Sequence, residues 1–100
     1  MERFLIVYRG GPDATPDASG RDLQRWAAWF DSLGAALVER GGLAQAAVEV
    51  PSRLLGPKES TSSLAGYSVI LASDFNDAVR LAETCPIFDE EGAVEIARLG

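Results

Sequence analysis

Six side chains in this sequence could bind or convert a small molecule, and they are spread from the beginning of the chain to its end. They are Tyr8, Arg9, Trp26, Trp29, Glu49 and Glu95. Arg9 follows an apolar run and precedes Gly10-Gly11-Pro12, where its guanidinium could hold a carboxylate through two parallel hydrogen bonds. Tyr8 stands beside it at the end of the same predicted strand.

Two of the acids are of interest because each interrupts a predicted apolar strand. A carboxylate that points into a closed interior must be paired or protonated, so Glu49 or Glu95 could act as a base. Trp26 and Trp29 lie one turn apart on a predicted helix and could form the floor of a ligand pocket.

Structural roles are the commoner ones for residues of these types in known proteins, and they are favoured for the same side chains here. Large aromatic residues dominate both cores and subunit contacts, which favours packing for Trp26 and Trp29. Arg9 could equally be an edge arginine, either in solvent or paired with an acid of a partner chain.

Other reactive groups are better explained as structural. The positions of Asp74 and Asp77 at a helix start predict helix capping. Cys85 follows a helix C-terminus, where the dipole disfavours the thiolate, so a buried structural cysteine is predicted. The run Asp89-Glu90-Glu91 predicts a solvated turn, and Gly10-Gly11 does not match a phosphate-binding loop.

Composition excludes several classes of function. The chain of 100 residues has one cysteine and no histidine, so Cys/His metal sites and Ser-His or Cys-His nucleophile pairs are excluded. The formal net charge is -6 and the nine basic residues are scattered, which argues against nucleic acid. The sequence contains no apolar run long enough for a membrane span. We expect a cytoplasmic protein of one domain, residues 1–100, without a cofactor or a metal.

The first half of the chain predicts a strand, a loop, a helix and a second strand. Arg3–Arg9 is a strand with apolar residues on both faces. The loop that follows offers Asp17 or Ser19 as a helix N-cap, and the helix runs from Arg21 to near Arg40. Leu43–Val50 is the second strand.

The second half begins with Pro51–Ala65, a polar loop or loose hairpin arm expected to be mobile. Tyr67–Ala72 is the third strand. A helix then begins at Ser73 or Asp74 and ends at Cys85-Pro86. Its predicted buried stripe consists of Phe75, Ala78, Val79 and Ala82. Ile87–Gly92 is a turn and Ala93–Leu99 the last strand.

This order predicts an α+β protein with the ferredoxin-like βαββαβ fold, in which two helices cover one face of an antiparallel four-stranded sheet. The strands are apolar on both faces, although the helices cover only one. We therefore expect a homodimer in which two sheets pack face to face as a dimeric α/β barrel.

Several segments resemble the YCII-related, or DGPF-domain, proteins. They are FLIVYR, WAAWFDSLGAALVERG, GYSVILASDFNDAVRLAETCP and GAVEIARL. The resemblance covers nearly the whole chain and implies a small dimeric α/β barrel. The family's Asp-Gly-Pro-Phe signature is reduced to Gly56-Pro57, and the histidine of the catalytic dyad proposed for some members is absent. The resemblance therefore does not carry an enzymatic role with it.

Three functional hypotheses follow. The first is a homodimeric barrel that binds a small molecule, as a binding or accessory module. The second is a cofactor-free enzyme of the lyase, isomerase or oxygenase kind, acting on a small organic acid or aromatic metabolite. The third is a structural interaction domain whose barrel interior is filled by side chains.

Overall fold

A computed structural model describes residues 1–10 and 22–100 and shows an α+β fold. Its strands are β1 (Glu2–Gly10), β2 (Leu37–Leu43), β3 (Val48–Glu49), β4 (Lys58–Glu59), β5 (Leu64–Ala72) and β6 (Gly92–Arg98). Its helices are α1 (Leu23–Leu33) and α2 (Phe75–Ala82), with 3₁₀ turns at Gly34–Ala36 and Pro86–Glu90.

The main sheet has the strand order β2-β5-β1-β6, and every neighbouring pair in it is antiparallel. With α1 and α2 inserted before β2 and before β6, this is the predicted ferredoxin-like arrangement. β1 and β5 occupy the centre because they contain continuous β-branched and aromatic residues, which suit positions between two neighbours.

Both helices cover the same face of the sheet. On β1 that face presents Phe4, Ile6 and Tyr8, each of them fully buried. The core combines these with residues of both helices, of β5 and of the 3₁₀ turn after α2. Its largest members are Phe4, Ile6, Tyr8, Trp26, Trp29, Phe30, Ile70 and Ile87.

α1 is shorter than predicted. The suggested N-caps Asp17 and Ser19 lie outside the described residues, and the observed N-cap is Asp22, whose side chain accepts a hydrogen bond from Arg25 N at 3.1 Å. The helix ends at Leu33, not near Arg40. Gly34 caps it with φ +55°, a backbone conformation that suits glycine and stops helix propagation.

The second strand of the sheet was therefore predicted in the wrong place. It is Leu37–Leu43, whereas within Leu43–Val50 only Val48–Glu49 forms a new strand, outside the main sheet. The sequence of β2 contains Gly41-Gly42, a pattern typical of a helix end. β2 pairs with β5 through two irregularities of register, and the second of them, between Glu39 and Gly42, includes these glycines.

We call residues 44–63 the arm, because they leave the sheet after β2 and return at β5. Among the described strands, β3 and β4 pair with each other and with no third strand. In the turn between them, Gly56 N donates to Ser52 O at 3.1 Å and Leu55 N donates to Ser52 Oγ at 3.0 Å. The hairpin arm predicted for Pro51–Ala65 thus contains a hydrogen-bonded turn, and Ala65 already belongs to β5.

α2 begins where predicted, with Asp74 as its N-cap and Asp77 in its first turn. It ends at Ala82 rather than at Cys85-Pro86. The predicted turn Ile87–Gly92 is instead largely the 3₁₀ segment Pro86–Glu90, where Ile87 is fully buried against the core.

The predicted buried stripe of α2 is only half covered. Ala78 and Ala82 are buried, but Phe75 and Val79 are each 43% exposed. The helix turns its two alanines toward the sheet, so the larger side chains stay at the margin.

Among the residues that the structure describes, no helix has the length and apolar character needed to cross a membrane.

Candidate functional site

The sheet face opposite the helices is the most distinctive surface of the described chain. We call it the open face, defined by Leu5, Val7, Arg9, Tyr67, Val69 and Glu95. Val69 is buried and Leu5 and Val7 are half-buried within one chain, so the predicted burial on both sides of β1 is complete on the helix side only. The apolar centre is bordered by polar side chains.

The six side chains singled out in the sequence fall into three separate places. Tyr8, Trp26 and Trp29 lie between the sheet and α1, in the core. Arg9 and Glu95 lie on the open face, and Glu49 lies in the arm. Successive strand residues point to opposite faces, so Tyr8 and Arg9 cannot belong to one site within a chain.

Tyr8 is packed among aromatic rings in the core. Its ring centroid lies 5.0 Å from that of Trp26 and 6.2 Å from that of Trp29, in edge-on arrangements favoured by aromatic quadrupoles. The Tyr8 hydroxyl donates to Ser68 Oγ at 2.7 Å, and Ser68 Oγ donates to the Arg40 carbonyl at 2.7 Å. Burial raises the pKa of Tyr8 above its ordinary value, so the phenol stays neutral across the physiological range.

The two indole N–H groups hold the turn after α2 against α1. Trp26 Nε1 donates to Glu90 Oε2 at 3.0 Å, and Trp29 Nε1 donates to Thr84 Oγ1 at 3.0 Å. The same oxygen of Glu90 accepts from Asp22 N at 3.3 Å. Glu90 is therefore a structural acceptor rather than part of a solvated turn. The sequence offers no signal for this role, because the two segments meet only in the fold.

Arg9 forms an oriented ion pair on the open face. Its Nε and Nη2 donate to Glu95 Oε1 at 3.2 and 3.0 Å, and its Nη1 donates to the Ser62 carbonyl at 3.3 Å. The Arg9 side chain is 37% exposed and that of Glu95 is 66% exposed. A guanidinium has five N–H donors, so these contacts fix its plane and leave two donors for a ligand.

A second polar pair borders the open face and was missed in the sequence. The Tyr67 hydroxyl donates to Glu39 Oε1 at 2.7 Å. This hydrogen bond and the nearby negative charge raise the pKa of Tyr67. The sequence predicts Tyr67 as a strand residue, and its alternation with Val69 places it on this face. The sequence also predicts a helix as far as Arg40, which includes Glu39, and so gives no sign of the contact between them.

Glu49 accepts two hydrogen bonds at the base of the arm. Its Oε1 accepts from Thr61 N at 3.0 Å and from Thr61 Oγ1 at 2.9 Å. It therefore lies apart from both the aromatic core and the Arg9–Glu95 pair. Its predicted role as a base inside a barrel would require a partner chain to enclose it.

The remaining acids serve local structure. The pKa of Asp77 is lowered mainly by the hydrogen bond from the Ser73 backbone N–H and next by the hydrogen bond from the Arg80 side chain. Asp89 pairs with Arg25 across α1 and the 3₁₀ turn at 2.5 Å. Cys85 is buried, as predicted. Within residues 1–10 and 22–100, no group of three or more acids, histidines or cysteines is arranged to hold a metal ion.

Comparison with known proteins supports the fold. No family model matches the chain, and no curated protein matches it. One solved structure is similar over almost the full length, namely 5-chloro-2-hydroxyhydroquinone dehydrochlorinase from Burkholderia phenoliruptrix AC1100 in complex with 2,5-dihydroxybenzoquinone. The TM-score is 0.59 at 12% sequence identity, covering 97% of this chain and 93% of that one. The chain therefore has the α+β, ferredoxin-like fold of a protein that was solved with a small quinone bound.

Proposed function

We propose that this protein is a homodimeric α/β barrel of the YCII-related kind that binds a small organic acid between its two open faces. It would act as a binding or accessory module. We also propose a cytoplasmic location, because a chain with a single cysteine forms no internal disulfide and therefore suits a reducing compartment. The observation that carries the proposal is the oriented Arg9 guanidinium at the border of an apolar sheet face.

The case for a dimer rests on the composition of the open face. Leu5, Val7 and Val69 are neighbours across β1 and β5, since Leu5 pairs directly with Val69. Charged and polar groups stand around them rather than among them. An apolar centre with a polar rim is typical of protein interfaces. Val69 is already buried in the single chain, and a second copy of the same face would remove Leu5 and Val7 from water as well.

The case for an anionic ligand rests on Arg9. Glu95 and the Ser62 carbonyl hold the guanidinium in one orientation, so little side-chain entropy remains to be lost on binding. The two remaining donors suit the two oxygens of a carboxylate. Stacking of a second sheet over this position would exclude water and strengthen the contact.

Val7→Lys is expected to convert the dimer to a monomer, because it places a charge at the centre of the apolar contact. Sedimentation velocity at micromolar concentration should show twice the chain mass of 10.6 kDa for the parent and a single chain for the variant. Gln24→Lys makes the same substitution on the exposed surface of α1 and should leave the dimer intact. A parent protein that sediments as a monomer would refute the dimer.

Benzoate is expected to raise the melting temperature of the parent protein, whereas its neutral analogue benzamide should not. A ligand bound only to the native state at about 100 times its Kd adds about 2.7 kcal/mol of stability. Arg9→Gln should abolish the shift, while Arg25→Gln, which removes a guanidinium engaged with Asp89, should retain it. Equal shifts for Arg9→Gln and the parent would rule out Arg9 as the anchor. If no acid in a panel of small aliphatic and aromatic carboxylates produces a shift, the binding proposal fails.

A cofactor-free enzyme is the second candidate, and the Tyr67–Glu39 pair is the observation that favours it. A phenol that donates to a carboxylate at 2.7 Å is a proton donor and acceptor set suited to acid–base chemistry. The similar structure is that of a dehydrochlorinase, which is compatible with this candidate. Turnover of a bound acid that is lost in Tyr67→Phe but not in Tyr8→Phe would support it over a binding module.

A further inference from the structure

The arm presents an apolar and basic tip that is exposed in the part of the chain that the structure describes. Leu54 is 94% exposed and Leu55 is 74% exposed, and Val48 and Val50 nearby are 71% and 63% exposed. The tip, residues 51–58, also carries Arg53 and Lys58 and has no acidic residue. Exposed apolar surface of a few hundred Å² concentrated in one place marks an interaction site.

The tip contains a hydrogen-bonded turn. The hydrogen bonds from Ser52 to Leu55 and Gly56 close its turn, and Gly56 supplies the φ of +70° that the turn requires. A turn that holds two leucines outward is already shaped for a partner, so docking would cost little further ordering.

A surface of matching character lies on α2. Phe75 and Val79, one turn apart, form an exposed stripe that continues to Glu83. Residues 74–83, the helix with its caps, contain three acids and one arginine, for a formal charge of -2. The Arg98 guanidinium lies 5.0 Å from the centroid of the Phe75 ring and still leaves Phe75 43% exposed. The stripe thus combines the apolar character of the tip with the opposite charge. Both surfaces remain exposed in the single chain, so the tip does not dock onto the stripe of its own chain.

We infer that the arm tip of one copy docks onto the α2 stripe of a second copy, with Leu54 and Leu55 against Phe75 and Val79 and with Arg53 facing Glu83. Every chain carries both surfaces, so a two-fold dimer would form the contact twice. This inference rests on the proposed homodimer and adds to it a second contact, outside the stacked open faces. Charge complementarity also selects the partner, since the tip is the basic part of an otherwise acidic chain.

The first test removes the leucines. Leu54→Ser combined with Leu55→Ser should weaken dimerisation at least tenfold in a sedimentation-equilibrium dilution series. Both side chains are exposed in the single chain, so the fold should be retained and the melting temperature of the monomer unchanged. An unchanged dimerisation constant would overturn the inference. If Val7→Lys still dissociates that dimer, the proposed function stands without the arm contact.

The second test exchanges the charges. Arg53→Glu alone and Glu83→Arg alone should each weaken dimerisation about threefold to tenfold at low salt, because each places like charges together. The double variant should return to within about twofold of the parent, because the pair is restored in reversed order. Asp31→Arg makes the same charge change at an exposed site on α1 and should not weaken dimerisation. Combined with Arg53→Glu, it should not restore the dimerisation that Arg53→Glu weakens. A double variant no better than the weaker single variant would overturn the inference.

Discussion

Trp26→Ala is expected to lower the free energy of unfolding by about 3–5 kcal/mol, the range for a large aromatic residue removed from a core. Trp26 is 1% exposed and contacts the rings of Tyr8, Trp29 and Phe30. Its loss would also deprive Glu90 of its indole donor. Because a domain of this kind has about 5–15 kcal/mol in total, the variant should be close to unfolding at ambient temperature. Urea denaturation followed by circular dichroism measures the change.

Trp26→Phe separates the two contributions. It retains an aromatic ring but not the N–H that reaches Glu90, so it should cost less than the alanine variant while still leaving that acceptor without its indole donor. A Trp26→Ala variant within about 1 kcal/mol of the parent would contradict the central place of this residue in the core. An equal cost for both variants would assign the whole effect to the hydrogen bond.

Gly41→Ala is expected to be strongly destabilising, and Gly42→Ala is its matched control. Gly41 has φ +66°, and a Cβ placed there would lie 2.0 Å from the Tyr67 carbonyl oxygen. A left-handed backbone alone costs a non-glycine residue of order 1–3 kcal/mol, and the overlap with backbone adds to it. β2 would have to move away from β5. At Gly42 a Cβ meets nothing within 4 Å, and φ is not positive.

Thermal and urea unfolding of the two variants would measure how much each substitution lowers the free energy of unfolding. We expect a loss of more than about 2 kcal/mol for Gly41→Ala, beyond the ordinary effect of a surface substitution, and a change within about 0.5 kcal/mol for Gly42→Ala. Equal stabilities would mean that β2 tolerates the side chain by shifting along the sheet edge. The contact between Glu39 and Tyr67 would then be disturbed as well, since both belong to the same strand pair.

The sequence predicts the position of a strand well where the strand has an unbroken apolar or alternating pattern. β1, β5 and β6 are continuous apolar or alternating runs, and the first and last of them are predicted to within about a residue at each end. β2 is an edge strand with a double glycine, and its first residues continue the helical spacing of α1. Only its pairing with β5, as between Leu37 and Ile70, reveals it as a strand, and that pairing joins distant parts of the chain.

The candidate site shows the same limit. That Glu95 interrupts an apolar strand is visible in the sequence, and so is the position of Arg9 at a strand end. Their contact depends on the register of β1 against β6, in which Val7 is opposite Glu95 and Arg9 is opposite Ala93. The hydrogen bonds of Trp26 and Trp29 likewise depend on how the 3₁₀ turn meets α1. Phe75 and Val79 show the reverse case, in which a helical pattern predicts burial that a single chain does not supply.

The attachment of the arm makes this protein suitable as a scaffold for display. The arm leaves and re-enters the sheet at neighbouring points, where Ala44 N bonds Ala65 O at 2.7 Å and Gly10 N bonds Ser63 O at 2.7 Å. A foreign peptide that replaced the arm between these two hydrogen bonds would begin and end at fixed positions. Closing a longer loop there costs little additional entropy. The aromatic core lies on the covered side of the sheet, away from such a graft. The same property would allow natural variants to differ widely in length at this position while keeping the fold.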